Sequence, residues 1–200
     1  MDEPSELPQR DLTRIEVNDL GRMRAIANPL RMKILGVLRL DGPATVGTLA
    51  ERTGEASGSV SYHLQTLAKH GFVEAAPELA RDRRERWWRA AHDYTSWDNA
   101  DFRDDPVEHA ALDEFRRQVL EGYHRELMQA LAEEDQLPAE WLDASESSDG
   151  AARLTVDEMR ELSAELGAVQ RKWFARGRGE PRPDTRVVRF ITHTFVRSEP

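Results

Sequence analysis

The residues with the most pointed chemistry lie between positions 57 and 86. Val60, Leu64 and Leu67 recur at steps of four and three, the spacing of one buried helix face. That spacing leaves Gly58, Tyr62, Gln65 and Lys69 on the opposite face, flanked by Ser57, Ser59, Ser61 and Thr66. The face has little bulk at its N-terminal end and is rich in hydroxyls and amides. Such groups hydrogen-bond base edges and phosphates in a DNA major groove. An ordinary solvated helix face would carry more Glu, Lys and Arg. Four arginines follow, Arg81, Arg83, Arg84 and Arg86, and arginine can reach phosphate or a narrow minor groove. The competing reading of this cluster is a solvated loop whose arginines pair with Glu78, Asp82 and Glu85.

Other chemistry is poorly represented. The sequence has no cysteine, which excludes disulfides, cysteine nucleophiles, thiolate zinc sites and iron–sulfur clusters. His109 with Asp113, and Glu121 with His124, have spacings that could hold a divalent metal. A di-iron bundle would need a second Glu-x-x-His and further glutamates. In so acidic a chain such pairs arise by chance, so no metal and no cofactor are expected. His63 borders the inner helix face and reads as a structural hydrogen-bonding residue. There is no Gly-rich phosphate loop and no Gly-x-Ser-x-Gly elbow, so the chain is expected not to be an enzyme. Trp97, Trp141 and Trp173 with Phe102, Phe115 and Phe174 could line an apolar effector pocket, although core or dimer interface is the plainer reading.

These residues need elements to position them. Asn18 can cap a short helix through about Ala27. Asn28-Pro29 marks the next helix start, and Leu30, Ile34, Leu35, Val37 and Leu38 form its stripe. Asp41-Gly42-Pro43 ends it. Thr45 caps a short third helix that closes at Gly54. Ser57 is expected to cap a fourth helix, which runs to about His70. Two extended runs follow, 72–76 and 85–91, joined by the polar connector that carries the arginines. Residues 1–13 read as a flexible tail and 93–105 as a linker. Pro106 then opens a long amphipathic helix to about Glu134, with Leu112, Phe115, Val119, Tyr123, Leu127 and Leu131 at three- and four-residue steps. A further turn fits 137–142, and 143–154 reads as a loop. Thr155 and Glu158 match a capping box for a helix reaching Phe174. Thr185 to Val196 is rich in Val, Thr, Phe and Ile and reads as a strand.

Composition sets the broad class. The chain has 200 residues, enough for a real core, and carries a net charge of −9. No apolar run approaches the ~20 residues of a membrane span. The acidic N-terminus is no signal peptide, so a soluble, cytoplasmic protein is expected. Arginine outnumbers lysine 25 to 3, which fits GC-rich codons and a bacterial source. The charge is unevenly placed. Residues 18–92 hold 12 basic and 8 acidic side chains, whereas residues 101–200 hold 14 and 22. Only the first part suits phosphates.

Residues 25–91 resemble the ArsR-type winged helix of bacterial transcriptional regulators. The resemblance rests on ANPLRMKILGVL (27–38), GPATVGTLAERTG (42–54), SVSYHLQTLAKHGFV (59–73) and the returning strand in RERWWRAAH (84–92). It covers about one third of the chain. It implies a dimeric, sequence-specific DNA-binding protein, usually a repressor released by a signal. By position, Ser59, Ser61, Tyr62 and Gln65 correspond to the family's base- and phosphate-contacting face. The metal sensors of that family use cysteine pairs that this chain lacks, so the resemblance is closer to the larger non-metal members with a helical C-terminal part.

The resulting expectation is a mainly α fold with a small β-wing. A winged helix–turn–helix domain spans 14–92. A helical dimerisation region, with room for an unidentified small-molecule effector, spans 106–200 and ends in a strand. Double-stranded DNA and a second copy are the expected partners, and no membrane. Recognition-helix contacts fall to Ser57, Ser59, Ser61, Tyr62, Gln65 and Lys69, and wing contacts to Arg81, Arg83, Arg84 and Arg86. The alternative is a winged helix that binds protein rather than DNA. A steep loss of binding with ionic strength would separate the two.

Overall fold

The structure, a computed structural model, describes residues 12–82, 85–102, 104–177 and 182–197. Thr13–Glu126 form one compact unit, and the described residues from Leu127 onward belong to another.

In the first unit, helix α1 (Leu20–Ile26) is capped by Asp19, whose carboxylate accepts from the Arg22 amide. The cap is thus one residue beyond the expected Asn18. Helix α2 (Pro29–Leu40) starts as its sequence dictates. Asn28 accepts from the Arg31 amide, and Pro29 fills the first turn, where no N–H is needed. Helix α3 (Val46–Thr53) is capped by Thr45 and closed by Gly54, at φ +76°, a left-handed turn that glycine adopts without strain. Helix α4 (Ser57–Lys69) follows after three residues. Its N-cap is Ala56, which has no side-chain acceptor, so Ser57 is the first helical residue and not the cap.

The inward faces of these helices meet in one core. Ile34, Leu35 and Leu38 of α2, Leu49 of α3, and Val60, Leu64 and Leu67 of α4 are all buried together. Phe72 and Val73 close the core beneath the wing. The wing sheet has the order β2–β4–β3, from Ala44–Thr45, Trp87–Ala90 and Val73–Ala75, with both pairings antiparallel. Val73 lies opposite Ala90, and Ala75 and Ala44 both lie opposite Trp88. Trp88 packs against the core, while the indole N–H of Trp87 donates to Glu85 Oε2 at 3.1 Å.

Residues 93–105 are not the linker that their composition suggested. Tyr94–Ser96 form strand β5, which pairs in parallel with β1 (Arg14–Glu16). Asn99–Phe102 make a 3-10 turn whose Phe102 is buried in the core. The expected tail 1–13 falls outside the described residues up to position 11; Thr13 is tied to Asp93 by its amide (2.6 Å) and hydroxyl (3.1 Å). Helix α5 (Pro106–Glu133) begins in this unit and packs Leu112, Phe115 and Val119 against the core, with Trp97 edge-on to Phe115.

The second unit contains the last turns of α5, where Leu127, Met128 and Leu131 are exposed. Helix α6 (Ala139–Asp143) and helix α7 (Val156–Arg176) follow, and the Thr155–Glu158 capping box is formed at both ends. Residues 185–196 are not a strand. They run extended beside α7 and form no ladder among the described residues. A strand needs a paired edge, and here only side chains make the contacts: Thr192 receives a hydrogen bond from Gln170, Ser163 and Thr194 share one at 3.3 Å, and Phe190 stacks on Phe174.

Candidate nucleic-acid interface

Helix α4 owes its orientation to Val60, Leu64 and Leu67, which are fully buried. Their burial turns Ser57, Gly58, Tyr62, Gln65 and Lys69 to solvent, with Ser59 and Ser61 half-buried at the margin. Tyr62 is 63% exposed, unusual for a ring of that size. The first turn of α4 has no side-chain cap, so its N–H groups remain available to an external acceptor such as a phosphate oxygen.

A second set of contacts fixes α4 from behind. The Arg31 guanidinium donates from Nη2 to the Arg24 carbonyl at 2.8 Å and from Nε to the Ala25 carbonyl. Its Nη1 lies 3.3 Å from His63 Nδ1. His63 therefore links α4 to α2 and is held below its usual pKa, first by desolvation and then by the Arg31 charge, with Glu55 opposing. The structural reading of His63 fits this geometry.

The wing meets α3 and α4 in an open groove of about 400 Å³, lined by Thr45, Val46, Gly47, Ser61, Glu85 and Arg86. Ser61 and Arg86, taken from different elements, are thus brought to one place. Ser57, Tyr62, Gln65 and Lys69 lie along α4 outside that groove, and Arg81 is exposed on the connector. Arg83 and Arg84 lie outside the described residues. Sequence reasoning missed Thr45 and Gly47 as groove walls. The signal was present: Thr45 begins the first helix of the helical pair, where the chain passes closest to the return strand.

The connector is organised by its acids. Glu85 accepts from the Arg81 amide at 3.0 Å and from Trp87, and its own amide donates to Asp82 Oδ1 at 3.1 Å. The two donated hydrogen bonds hold the Glu85 carboxyl below its usual range. Arg89 donates to Glu74 at 2.6 Å and to Glu78, so Glu78 is engaged by the strand arginine.

The other candidate chemistry does not assemble. His109 Nε2 is 3.7 Å from Asp113 on the exposed side of α5. Among the described residues no group of three or more His, Asp or Glu side chains converges as a metal site would. Of the six aromatics considered for a pocket, Trp97, Phe102 and Phe115 belong to the first unit's core, whereas Trp173 and Phe174 are exposed on α7. No helix among the described residues is long and apolar enough to cross a membrane.

The comparisons with known proteins fall on the same segment. A family described as helix-turn-helix domain matches residues 26–75. No curated protein matches the sequence. Among solved structures, a possible transcriptional regulatory protein of Mycobacterium bovis (fragment 1-100) is 32% identical over 37% of this chain and 75% of its own, with a TM-score of 0.32. NolR from Sinorhizobium fredii is 30% identical over 36% of this chain and 68% of its own, at 0.32. The homodimeric winged helix-turn-helix DNA-binding domain of a possible ArsR-family regulator, also from M. bovis, is 24% identical over 57% and 82%, at 0.32. TM-scores of that size carry no argument about this chain's function. The family match and the observed order of α2, α3, α4 and the β-wing agree residue for residue, and through residues 26–75 this chain belongs to the helix-turn-helix domain family, in its winged form.

Proposed function

We propose that the chain is a DNA-binding transcriptional regulator of the ArsR type. Helix α4 reads the major groove through Ser57, Ser59, Ser61, Tyr62, Gln65 and Lys69, and the wing holds the backbone or minor groove through Arg81, Arg83, Arg84 and Arg86. The observation that carries this reading is the outward face of α4. It is polar, small at its N-terminal end, uncapped in its first turn, and flanked by a groove in which Ser61 and Arg86 converge. A phosphate seated there would meet a guanidinium, a hydroxyl and open main-chain amides together.

The finer parts of the reading follow from the same assignment. The protein acts as a homodimer on an inverted repeat, and it represses until a signal releases it. Residues 14–92 bind DNA, and residues 106–200 dimerise and accept an effector. The test is selection of binding sites from a random double-stranded library with the full-length protein at moderate salt. An enriched inverted repeat is expected. A folded protein that enriches nothing, and whose weak DNA binding is indifferent to salt, would overturn the reading and favour a protein partner for the winged helix.

A further inference from the structure

The extended segment 185–197 combines two facts that conflict in a single copy. Its sequence is built for a sheet: Val187, Val188, Phe190, Ile191, Thr192, Thr194, Phe195 and Val196 are β-branched or aromatic. Its backbone is extended, yet among the described residues no main-chain hydrogen bond joins 186–197 to any other main-chain group. The segment nonetheless has a strand's register. Phe190, Thr192 and Thr194 meet Phe174, Gln170 and Ser163 of α7 in turn, so alternate residues face the helix and the chain runs antiparallel to it. With one face on α7, the main-chain donors and acceptors point sideways from two open edges. The apolar residues on and beside those edges are strongly exposed: Val188 64%, Phe195 77% and Val196 81%. An open edge and exposed apolar side chains in one segment mark a pairing surface.

We propose that this segment is a strand completed by a second copy of the chain, the two copies pairing antiparallel about a two-fold axis at Thr192. The register follows from self-complementarity. Centred on Thr192, Val188 lies opposite Val196, Arg189 opposite Phe195, Phe190 opposite Thr194, and Ile191 opposite His193. No like charges meet, and the α7-facing sides of both strands lie on one face. Moving the axis to Ile191 sets Arg189 against His193, and moving it to His193 sets Arg189 against Arg197. Half-residue shifts would place the helix-facing side of one copy opposite the solvent side of the other. An isologous contact of this kind closes on itself as a dimer. The surface is separate from helix α4, so it is tested without DNA, and its failure would leave the DNA-binding reading standing.

The chain has no native cysteine, so single substitutions report cleanly. Opposed residues of an antiparallel pair have Cα atoms about 4.5–5.5 Å apart, within disulfide range. Full-length Thr192→Cys under mild oxidation is expected to give a disulfide-linked dimer. Val188→Cys is expected to stay monomeric on a denaturing gel, because its copies would lie about 25 Å apart along the paired strands. The double variant Val188→Cys/Val196→Cys is expected to link again, and it leaves the Gln170–Thr192 contact intact should Thr192→Cys disturb folding. Equal linking by Val188→Cys alone would overturn the register. Absence of linking in both Thr192→Cys and the double variant would overturn the second copy as occupant, in favour of a strand from another protein.

Discussion

At the scale of single residues, the interface divides into groups that read bases and groups that hold phosphates. Tyr62 and Gln65 project from the middle of α4, so Gln65→Ala is expected to cost about 1–3 kcal/mol on a preferred site and to relax preference at one base position. Arg86 lines the groove from the wing side, so Arg86→Ala is expected to weaken all DNA sequences alike and to lower the salt slope by about 1. Parallel titrations of a selected site and a scrambled one, at several salt concentrations, separate the two behaviours. His63 makes a third, independent case. Its folded pKa lies below the ordinary 6.5, so the unfolded chain takes up its proton first as pH falls. Its contribution is therefore intact above about pH 6.5 and is lost as pH falls from there through the folded value. Urea midpoints measured from pH 7.5 to 5.5 should fall, and His63→Gln should flatten that fall; an unchanged slope would remove His63 as its source.

At the scale of elements, the helices carry their own punctuation, and this is why they were legible. Asn28-Pro29, Thr45, Gly54 and the Thr155–Glu158 box each satisfy a local requirement of a helix end, and each does so in the structure. Asn28→Ala should cost about 1 kcal/mol through the lost cap. Leu64→Ala should cost about 2–5 kcal/mol by opening a cavity where α4 seats on α2 and α3. Both are read as shifts in the unfolding midpoint by circular dichroism. The misses share a physical cause. Strands β1 and β5 are three residues long and pair with segments far away, so nothing local announces them. The terminal segment has the composition of a strand but no ladder within its own chain, and composition cannot supply a partner. The start of α4 was misread because Ser57 looks like a cap, whereas the extended residue before the helix is Ala56. The recognition face was legible because three buried positions fix a helix's rotation. The groove was legible only on its wing and α4 sides, because Thr45 and Gly47 reach it through tertiary packing.

At the scale of the whole molecule, charge is partitioned along the chain, with the excess of positive charge in residues 18–92 and the excess of negative charge in 101–200. DNA binding by a dimer making roughly 6–10 phosphate contacts should weaken about 10³–10⁵-fold between 50 and 200 mM salt. Two-fold symmetry should space the half-sites ~34 Å apart, visible as footprints one helical turn apart. The pairing of β1 with β5 adds a kinetic consequence. Thr13 and Asp93 stand 80 positions apart, so this clasp joins the two ends of the winged helix after everything between them has been laid down. Closing a loop of that length costs about 2 kcal/mol more than closing a ten-residue hairpin. The helices and the wing hairpin, built on near neighbours, should therefore assemble first, and the clasp should be the late event that sets the folding rate. In the native protein it should also be the first part to let go, with the Val17 amide, bonded to the Ser96 carbonyl at 2.8 Å, exchanging its hydrogen sooner than amides in the middle of α4.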